Sequence, residues 1–423
     1  VKIFFLVFSL VFITFLLIFF LLIYLGFSVV WLIDRGYLYK NKIFTACHEC
    51  KEKSLIPTYI CPSCGAKHTN LTPGVYGILK RRCVCGEKLP TTCLNGRNQL
   101  KAVCAHCQNT LYDRESRPIC IPIVGGRSVG KTAFITAFSH DFIEHVAPEK
   151  GWDIKLYNAD KESIYQEIKQ DYAVGGTRMT DRTQDILKTS SVSFSFFIHS
   201  RNFNPDRLVH VYDIAGEVFT DSDENEIQKQ YDYCQGIVLI VDPFSIDSVR
   251  YKYEKELAPE DIAGIGKADI GGIMDTFINK LRIVTGLSDR MMMRVPLAVV
   301  ISKSDSGPLD AEFSKSRIEE IVNSASKEPI LFQDAMDHLC RNFFIENGMQ
   351  SFLNIVDMKF KNNRFFACSA IGHKRDSGKY SPKGVLEPME RLFQHADSKM
   401  KKYWNDTMFS RYPKKVFENR EVK

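Results

Sequence analysis

The chain has 423 residues, enough for two or three domains, and its 45% hydrophobic and 25% charged residues are the ordinary balance of a globular protein. Its formal charge of +6 is small and spread along the sequence, so charge alone makes no case for a nucleic-acid-binding protein. Of its thirteen cysteines, nine fall between Cys47 and Cys107, several in C-x-x-C pairs, which points to metal ligation rather than a disulfide framework.

From Ile3 to Ile33 there is no charged residue. As one helix this run would be about 46 Å long, against a hydrocarbon core of about 30 Å, so a single tilted span is expected over residues 1–35. Tyr24 and Trp31 are candidates for an interfacial belt. A cleaved signal peptide fits poorly, because the run is too long and no small-residue cleavage site follows it. A hairpin bent near Gly26 is the alternative to one helix. Lys2 alone precedes the span, whereas Arg35, Lys40, Lys42, Lys51 and Lys53 follow it, and this asymmetry puts the following chain on the cytoplasmic side.

The next segment carries four knuckles. Cys47-His48-Glu49-Cys50 and Cys61-Pro62-Ser63-Cys64 are expected to bring four thiolates to one tetrahedral Zn²⁺, as a ribbon over residues 36–75. Cys83-Val84-Cys85 and Cys104-Ala105-His106-Cys107 make a second four-thiolate set over residues 76–115, in which Cys93 could stand in for Cys83. His48, His68 and His106 are left as non-ligands. Closed four-thiolate sites hold folds and catalyse nothing. Eight bound thiolates and two Zn²⁺ together lower the net charge by about four, to near +2. The basic run Lys80-Arg81-Arg82 is then too small to argue for nucleic acid.

After a short linker, the apolar run Cys120–Val124 reads as a buried parallel strand. It leads into Gly125-Gly126-Arg127-Ser128-Val129-Gly130-Lys131-Thr132, which fits G-x-x-x-x-G-K-[ST], and then into a helical run from Ala133 to His145. Strand, glycine-rich loop and helix in that order form a phosphate cradle. Backbone N–H groups and the helix N-terminus face the anion, Lys131 reaches the β- and γ-phosphates, and the Thr132 hydroxyl meets Mg²⁺. Ala147 to Lys188 reads as a variable stretch. Strands follow at Val192–Ile198 and Leu208–Tyr212. The second ends at Asp213, where a carboxylate can hold the Mg²⁺ water shell, and Gly216 lets its N–H approach a γ-phosphate. Further strands are expected at Gln235–Val241, Val295–Ile301 and Arg364–Cys368, with a largely helical insertion between Ser245 and Arg294 and a helix from Gly384 to Gln394.

The loop Gly125–Thr132, Asp213-Ile214-Ala215-Gly216, Ser302-Lys303-Ser304-Asp305 and Ser369-Ala370-Ile371 stand in the order used by the small-GTPase-like class of P-loop proteins. The chain resembles the membrane-tethered, zinc-ribbon-bearing bacterial proteins of the double-GTPase group in that class. The resemblance implies a doubly wound α/β P-loop domain over residues 116–423, after one transmembrane helix and two ribbons. It also implies a switch that turns GTP into GDP and phosphate with Mg²⁺, through an effector that the sequence does not identify.

Residue by residue, the resemblance puts the phosphates on Gly125, Gly126, Arg127, Ser128, Val129, Gly130, Lys131, Thr132 and Ala133. Thr132 and Asp213 hold Mg²⁺, and Gly216 senses the γ-phosphate. Lys303 lies along the base, Asp305 accepts from guanine N1–H and N2–H₂, and the backbone at Ser369 and Ala370 meets O6. Thr180 is the switch threonine, with Thr177 and Thr183 as rivals. Arg127, Arg178 or Arg182 could serve as an arginine finger, although a solvated arginine is the commoner role. Two positions depart from the pattern. Ser302 replaces Asn or Thr, which weakens the bracing of the phosphate loop. Glu217 stands where glutamine commonly orients water, so its carboxylate is either repelled or acts as a general base, and slow turnover is expected. An ATP-using enzyme on this fold, and a nucleotide-bound membrane scaffold with little hydrolysis, are the alternatives.

Overall fold

The uncharged N-terminal run is the main part of one continuous helix, α1 (Lys2–Lys40), in the computed structural model. The structure describes residues 2–47, 49–50, 52–112, 115–126, 128–174, 193–203, 205–213, 233–253, 270, 272, 277–279, 282, 288, 291–324, 332–372 and 380–404. Gly26 does not break α1, so the hairpin alternative is replaced by a single helix of about 58 Å at 1.5 Å per residue. Its apolar part is exposed and long enough to cross a membrane. The chain divides into two compact units, Val1–Pro118 and Ile119–Lys423.

In the first unit the charged end of α1 is tied to the cysteine-rich segment. Leu38 and Ile43 bury against Cys93. The Cys93 N–H donates to Asp34 Oδ1 at 2.9 Å. Arg97 is fully buried and donates to Asp34 Oδ2 at 2.9 Å, to Glu115 Oε1 at 2.6 Å and to the carbonyls of Leu71 and Thr91 at 3.0 and 2.6 Å. The Tyr59 hydroxyl also donates to Glu115. A buried guanidinium is tolerable only when its charge and its donors are both matched, as they are here. Desolvation acts to lower the Arg97 pKa, but Glu115, Tyr59 and Asp34 outweigh it and raise it.

The rest of this unit is short antiparallel strands: β1 (Thr45–Ala46), β2 (Lys53–Ser54), β3 (Thr58–Ile60), β4 (Lys67–His68), β5 (Lys80–Arg82), β6 (Lys88–Pro90), β7 (Ala102–Val103) and β8 (Thr110–Leu111). They form a four-stranded sheet in the order β4-β3-β7-β8 and two separate hairpins, β1–β2 and β5–β6. The core under them is small: Tyr59, Leu71, Leu89, Ala102 and Leu111 pack with the cysteines.

In the second unit, β9 (Arg117–Gly125), β10 (Asp153–Leu156), β11 (Ser193–His199), β12 (Arg207–Asp213), β13 (Ile237–Val241), β14 (Leu297–Ile301) and β15 (Asn363–Ala367) form one sheet in the order β10-β11-β12-β9-β13-β14-β15. β9, β13, β14 and β15 run parallel, with Gly125 level with Ile240, and Val241 level with Ile301 and Ile301 with Ala367. β13 and β14 are buried at every position, so their unbroken Ile, Leu and Val runs show no alternation. β10, β11 and β12 are antiparallel neighbours.

Helices cover both faces. On one, Phe138 of α2 (Lys131–Asp141) and Phe393 of a C-terminal helix (Leu386–Ala396) pack with Phe366 and the rest of the main core. Phe365 points to the other face, since successive strand residues alternate, and meets Phe344 and Phe352 from helices Phe332–Glu346 and Gln350–Lys359. This is the doubly wound α/β fold that the resemblance implies. The described part of the stretch expected to be variable contains edge strand β10 and helix α3 (Ala159–Val174). The tail beyond Lys399, unassigned from sequence, begins inside the short helix Ser398–Trp404, whose Met400 is buried and whose Tyr403 packs edge-on to Trp152 and Phe203.

Candidate functional site

The parallel register places the carboxyl ends of β9, β13, β14 and β15 at one level, which is where ligands sit in open α/β sheets. Gly125 ends β9. A Cβ there would lie 2.6 Å from the Ile240 carbonyl oxygen and 2.9 Å from Val129 Cγ2, so only glycine fits. The chain then turns through Ser128 at φ 61° and Gly130 at φ 93°, both left-handed, before α2 starts at Lys131. Gly126 and Val129 are buried, Ser128 is exposed and Ala133 is half-buried, while Arg127 lies outside the described residues. The Lys131 ammonium curls back over the loop and donates to the carbonyls of Gly125 at 3.0 Å and Gly126 at 2.7 Å. It is 8% exposed, so the cation is held ready in a sheltered cradle. The Thr132 hydroxyl is 3.3 Å from Asp213 Oδ2 at the end of β12, and these two oxygens could hold a divalent cation.

At the end of β14, Ser302 N–H and Oγ both reach the Val241 carbonyl, at 2.9 and 3.3 Å. Ser302 Cβ is 4.0 Å from where a Gly130 Cβ would stand, so this residue does border the phosphate loop. Lys303 is left-handed at φ 54°, and its ammonium is 2.7 Å from Asp242 Oδ2. Asp242 follows β13, is fully buried, and also accepts from the Phe244 N–H at 3.1 Å. Asp242 is not among the site residues named from the sequence; it stands just past the strand expected at Gln235–Val241. The signal for it was a carboxylate at the same strand-end level as the other motifs.

Ser304 N–H donates to the Cys368 carbonyl at 3.1 Å, tying the β14 loop to the one after β15. Burial, with a smaller contribution from the nearby Asp305 carboxylate, raises the Cys368 thiol pKa. Ser369 is buried, and its Oγ accepts from the Gly372 N–H at 2.9 Å, while Ala370 packs at the edge of the core. The structure therefore brings Lys131, Thr132, Asp213, Ser302, Lys303, Asp305, Ser369 and Ala370 to one end of the sheet. Thr180, Gly216 and Glu217, with Thr177, Thr183, Arg178 and Arg182, lie outside the described residues.

The cysteines require a correction. The expected consecutive sets are not the ones that form. Cys47 and Cys50 meet Cys104 and Cys107, while Cys61 and Cys64 meet Cys83 and Cys85. The reason is strand direction. β3 and β7 are antiparallel neighbours, so the knuckle that follows each one lies at the opposite end of the four-stranded sheet. Each is completed by the knuckle of a separate hairpin, β1–β2 for Cys104 and Cys107, β5–β6 for Cys61 and Cys64. The sulfurs approach to 3.6 Å (Cys47 to Cys107, Cys50 to Cys104), 3.7 Å (Cys61 to Cys85) and 3.5 Å (Cys64 to Cys83). Four Zn–S bonds of about 2.3 Å set sulfurs about 3.8 Å apart, so both sets fit a tetrahedral zinc.

Desolvation works to raise the Cys61 thiol pKa, but the backbone N–H groups of Cys64 and Ser63 prevail and lower it to about 7. The Ala66 N–H lowers Cys64, but Cys85 and Cys83 beside it prevail and raise it to about 12. Bound zinc would deprotonate all four. Cys93 is not in either set. His68, expected to be a non-ligand, is in neither set, and its Nε2 lies 3.2 Å from Cys83 Sγ, where an N–H tautomer could donate to that sulfur.

The family model described as Double-GTPase 2 matches residues 119–338, just over half of the chain. No curated protein matches. Among solved structures, the Arl6 BBS3 small GTPase of Trypanosoma brucei with bound GppNp aligns at 12% identity and a TM-score of 0.27, over 67% of this chain and 99% of that one. The GTP-bound Ski7 GTPase-like domain of S. cerevisiae aligns at 13% identity and a TM-score of 0.30, over 66% of this chain and 50% of that one. A bacterial selenocysteine-specific elongation factor, EF-Sec, aligns at 13% identity and a TM-score of 0.24, over 65% of this chain and 28% of that one.

Proposed function

The chain belongs to the Double-GTPase 2 family, and from that premise we propose that it is a membrane-tethered switch that binds GTP with Mg²⁺ and hydrolyses it slowly to GDP and phosphate. The observation that carries this reading is the meeting of the phosphate loop, the strand-end Asp213 and the Ser302–Asp305 and Ser369–Ala370 loops at one end of the sheet, with Lys131 sheltered over the cradle.

The chemistry follows from the groups. Lys131 shifts from the loop carbonyls to the β- and γ-phosphate oxygens when the nucleotide enters. Thr132 and Asp213 would hold Mg²⁺, which neutralises charge on the same oxygens. Asp305 discriminates guanine from adenine by accepting two N–H groups. We assign the attacking water to Glu217 and the γ-phosphate contacts to Thr180 and Gly216, so that loss of the phosphate releases those segments. The eight cysteines would hold two structural Zn²⁺, and α1 would place the ribbons and the nucleotide unit on the cytoplasmic face.

Calorimetry on the full chain tests the core of this. GTP binding that needs Mg²⁺, resists competition by equal ATP and disappears in Lys131→Ala supports it, whereas unchanged affinity in Lys131→Ala removes it. Phosphate release above the Lys131→Ala background then separates a hydrolysing switch from a scaffold that only holds the nucleotide.

A further inference from the structure

Helix α2 begins at the phosphate loop and ends in a π-helical turn, Phe142–Val146. Residues five apart on an α-helix lie about 140° apart around the axis, but the wider turn brings them toward one face. His140 and His145 are such a pair, and their rings approach to 6.0 Å between centroids. Asp141 completes a group whose donor atoms all lie within 4.8 Å of one another. We propose that His140, Asp141 and His145 form a binding site for a borderline divalent transition metal of the zinc class, separate from the nucleotide site and from both cysteine clusters.

The donor spacing suits such an ion. His140 Nδ1 is 3.4 Å from Asp141 Oδ1, and two bonds of about 2.1 Å meeting at a tetrahedral angle span about 3.4 Å. Two imidazoles and one carboxylate favour zinc-like ions over Mg²⁺, which prefers an all-oxygen shell. Supporting groups are in place. The Tyr172 hydroxyl donates to Asp141 Oδ1 at 2.7 Å, and its ring stacks on His140 at 3.5 Å, so both ligands are oriented by α3. Tyr172 also stacks on Tyr380 at 5.0 Å. The neighbouring carboxylate, Glu144, is engaged by the Tyr165 hydroxyl at 2.7 Å and Lys169 at 2.9 Å, so it does not compete for the ion. With three protein ligands and His145 exposed, the remaining position opens to water. A bound ion would staple the end of α2, and through Tyr172 the end of α3.

The test uses the nucleotide-free full chain in detergent, with its cysteine sites filled by zinc, titrated with Co²⁺. One further equivalent should bind, with the weak ligand-field absorption of nitrogen and oxygen donors and without an intense thiolate-to-metal band. His145→Ala, at an exposed position, should abolish that uptake. Tyr172→Phe, which keeps the stacking ring but loses the hydroxyl, should weaken it about tenfold. His338→Ala should leave it unchanged. No uptake at millimolar Co²⁺, or uptake that persists in His145→Ala, overturns the site. None of these residues belongs to the nucleotide site, so either result leaves the GTP reading where it was.

Discussion

Lys303 and Asp305 sit two residues apart and have different partners. Lys303 is paired with the buried Asp242, and this pair holds the loop in a left-handed turn that a lysine would otherwise avoid. Asp305 lies half-buried beside the loop that follows β15. A carboxylate can accept both guanine donors, whereas an amide presents one donor and one acceptor. Asp305→Asn should therefore exchange GTP preference for xanthosine triphosphate preference by at least about tenfold, the loss of one charge-assisted pair. Competition binding with the two nucleotides measures it, and a variant that still selects GTP removes Asp305 from base recognition. Asp242 shows where reading by motif stops. Its local sequence fits no motif beyond a carboxylate at a strand end, and its partner is 61 residues away.

Elements differ in how far local pattern carries. The parallel strands were legible because burial on both faces demands unbroken apolar runs. β10 was not. An edge strand with exposed Asp153 and Lys155 lacks that run, and only its pairing with β11 makes it a strand. The phosphate loop is set as much by β13 as by its own glycines, since the Ile240 carbonyl leaves no space for a side chain at Gly125. Gly125→Ala should push β9 from β13 and cost about 1–3 kcal/mol. A lowered midpoint in chemical denaturation together with weaker GTP binding is expected, and an unchanged midpoint would show that the loop accommodates the methyl elsewhere. In the first unit, the knuckles were legible as pairs from spacing alone, but which pairs cluster depends on the antiparallel β3–β7 contact. Cys104→Ser separates the two pairings. Bound zinc should drop from two ions to one, and alkylation should then label Cys47, Cys50 and Cys107. Labelling of Cys83 and Cys85 instead would restore the consecutive pairing.

For the whole molecule, the apolar surface of α1 is exposed, and its length exceeds a bilayer core by nearly two-fold at about 58 Å against about 30 Å. The Asp34–Arg97–Glu115 network locks the charged end of that helix to the cysteine-rich segment, so that end of α1 and the segment form one body. In sealed vesicles made from a host expressing the chain, the nucleotide unit should be digested by added protease only when it faces outward, in inverted vesicles. Digestion in right-side-out vesicles would reverse the assigned orientation. The sequence by itself determined the apolar run, the eight knuckle cysteines as candidate ligands, the order of the nucleotide motifs and the parallel α/β core. Each of these is written within a few adjacent residues or in the repeat of apolar positions. Only the tertiary structure decided which cysteines cluster together, that Asp242 holds Lys303, that the π-helical turn after α2 brings His140, Asp141 and His145 together, and that β10 lies at the edge of the sheet. Those outcomes depend on which distant segments pair and on how a helix is wound, and short-range patterns carry no record of either.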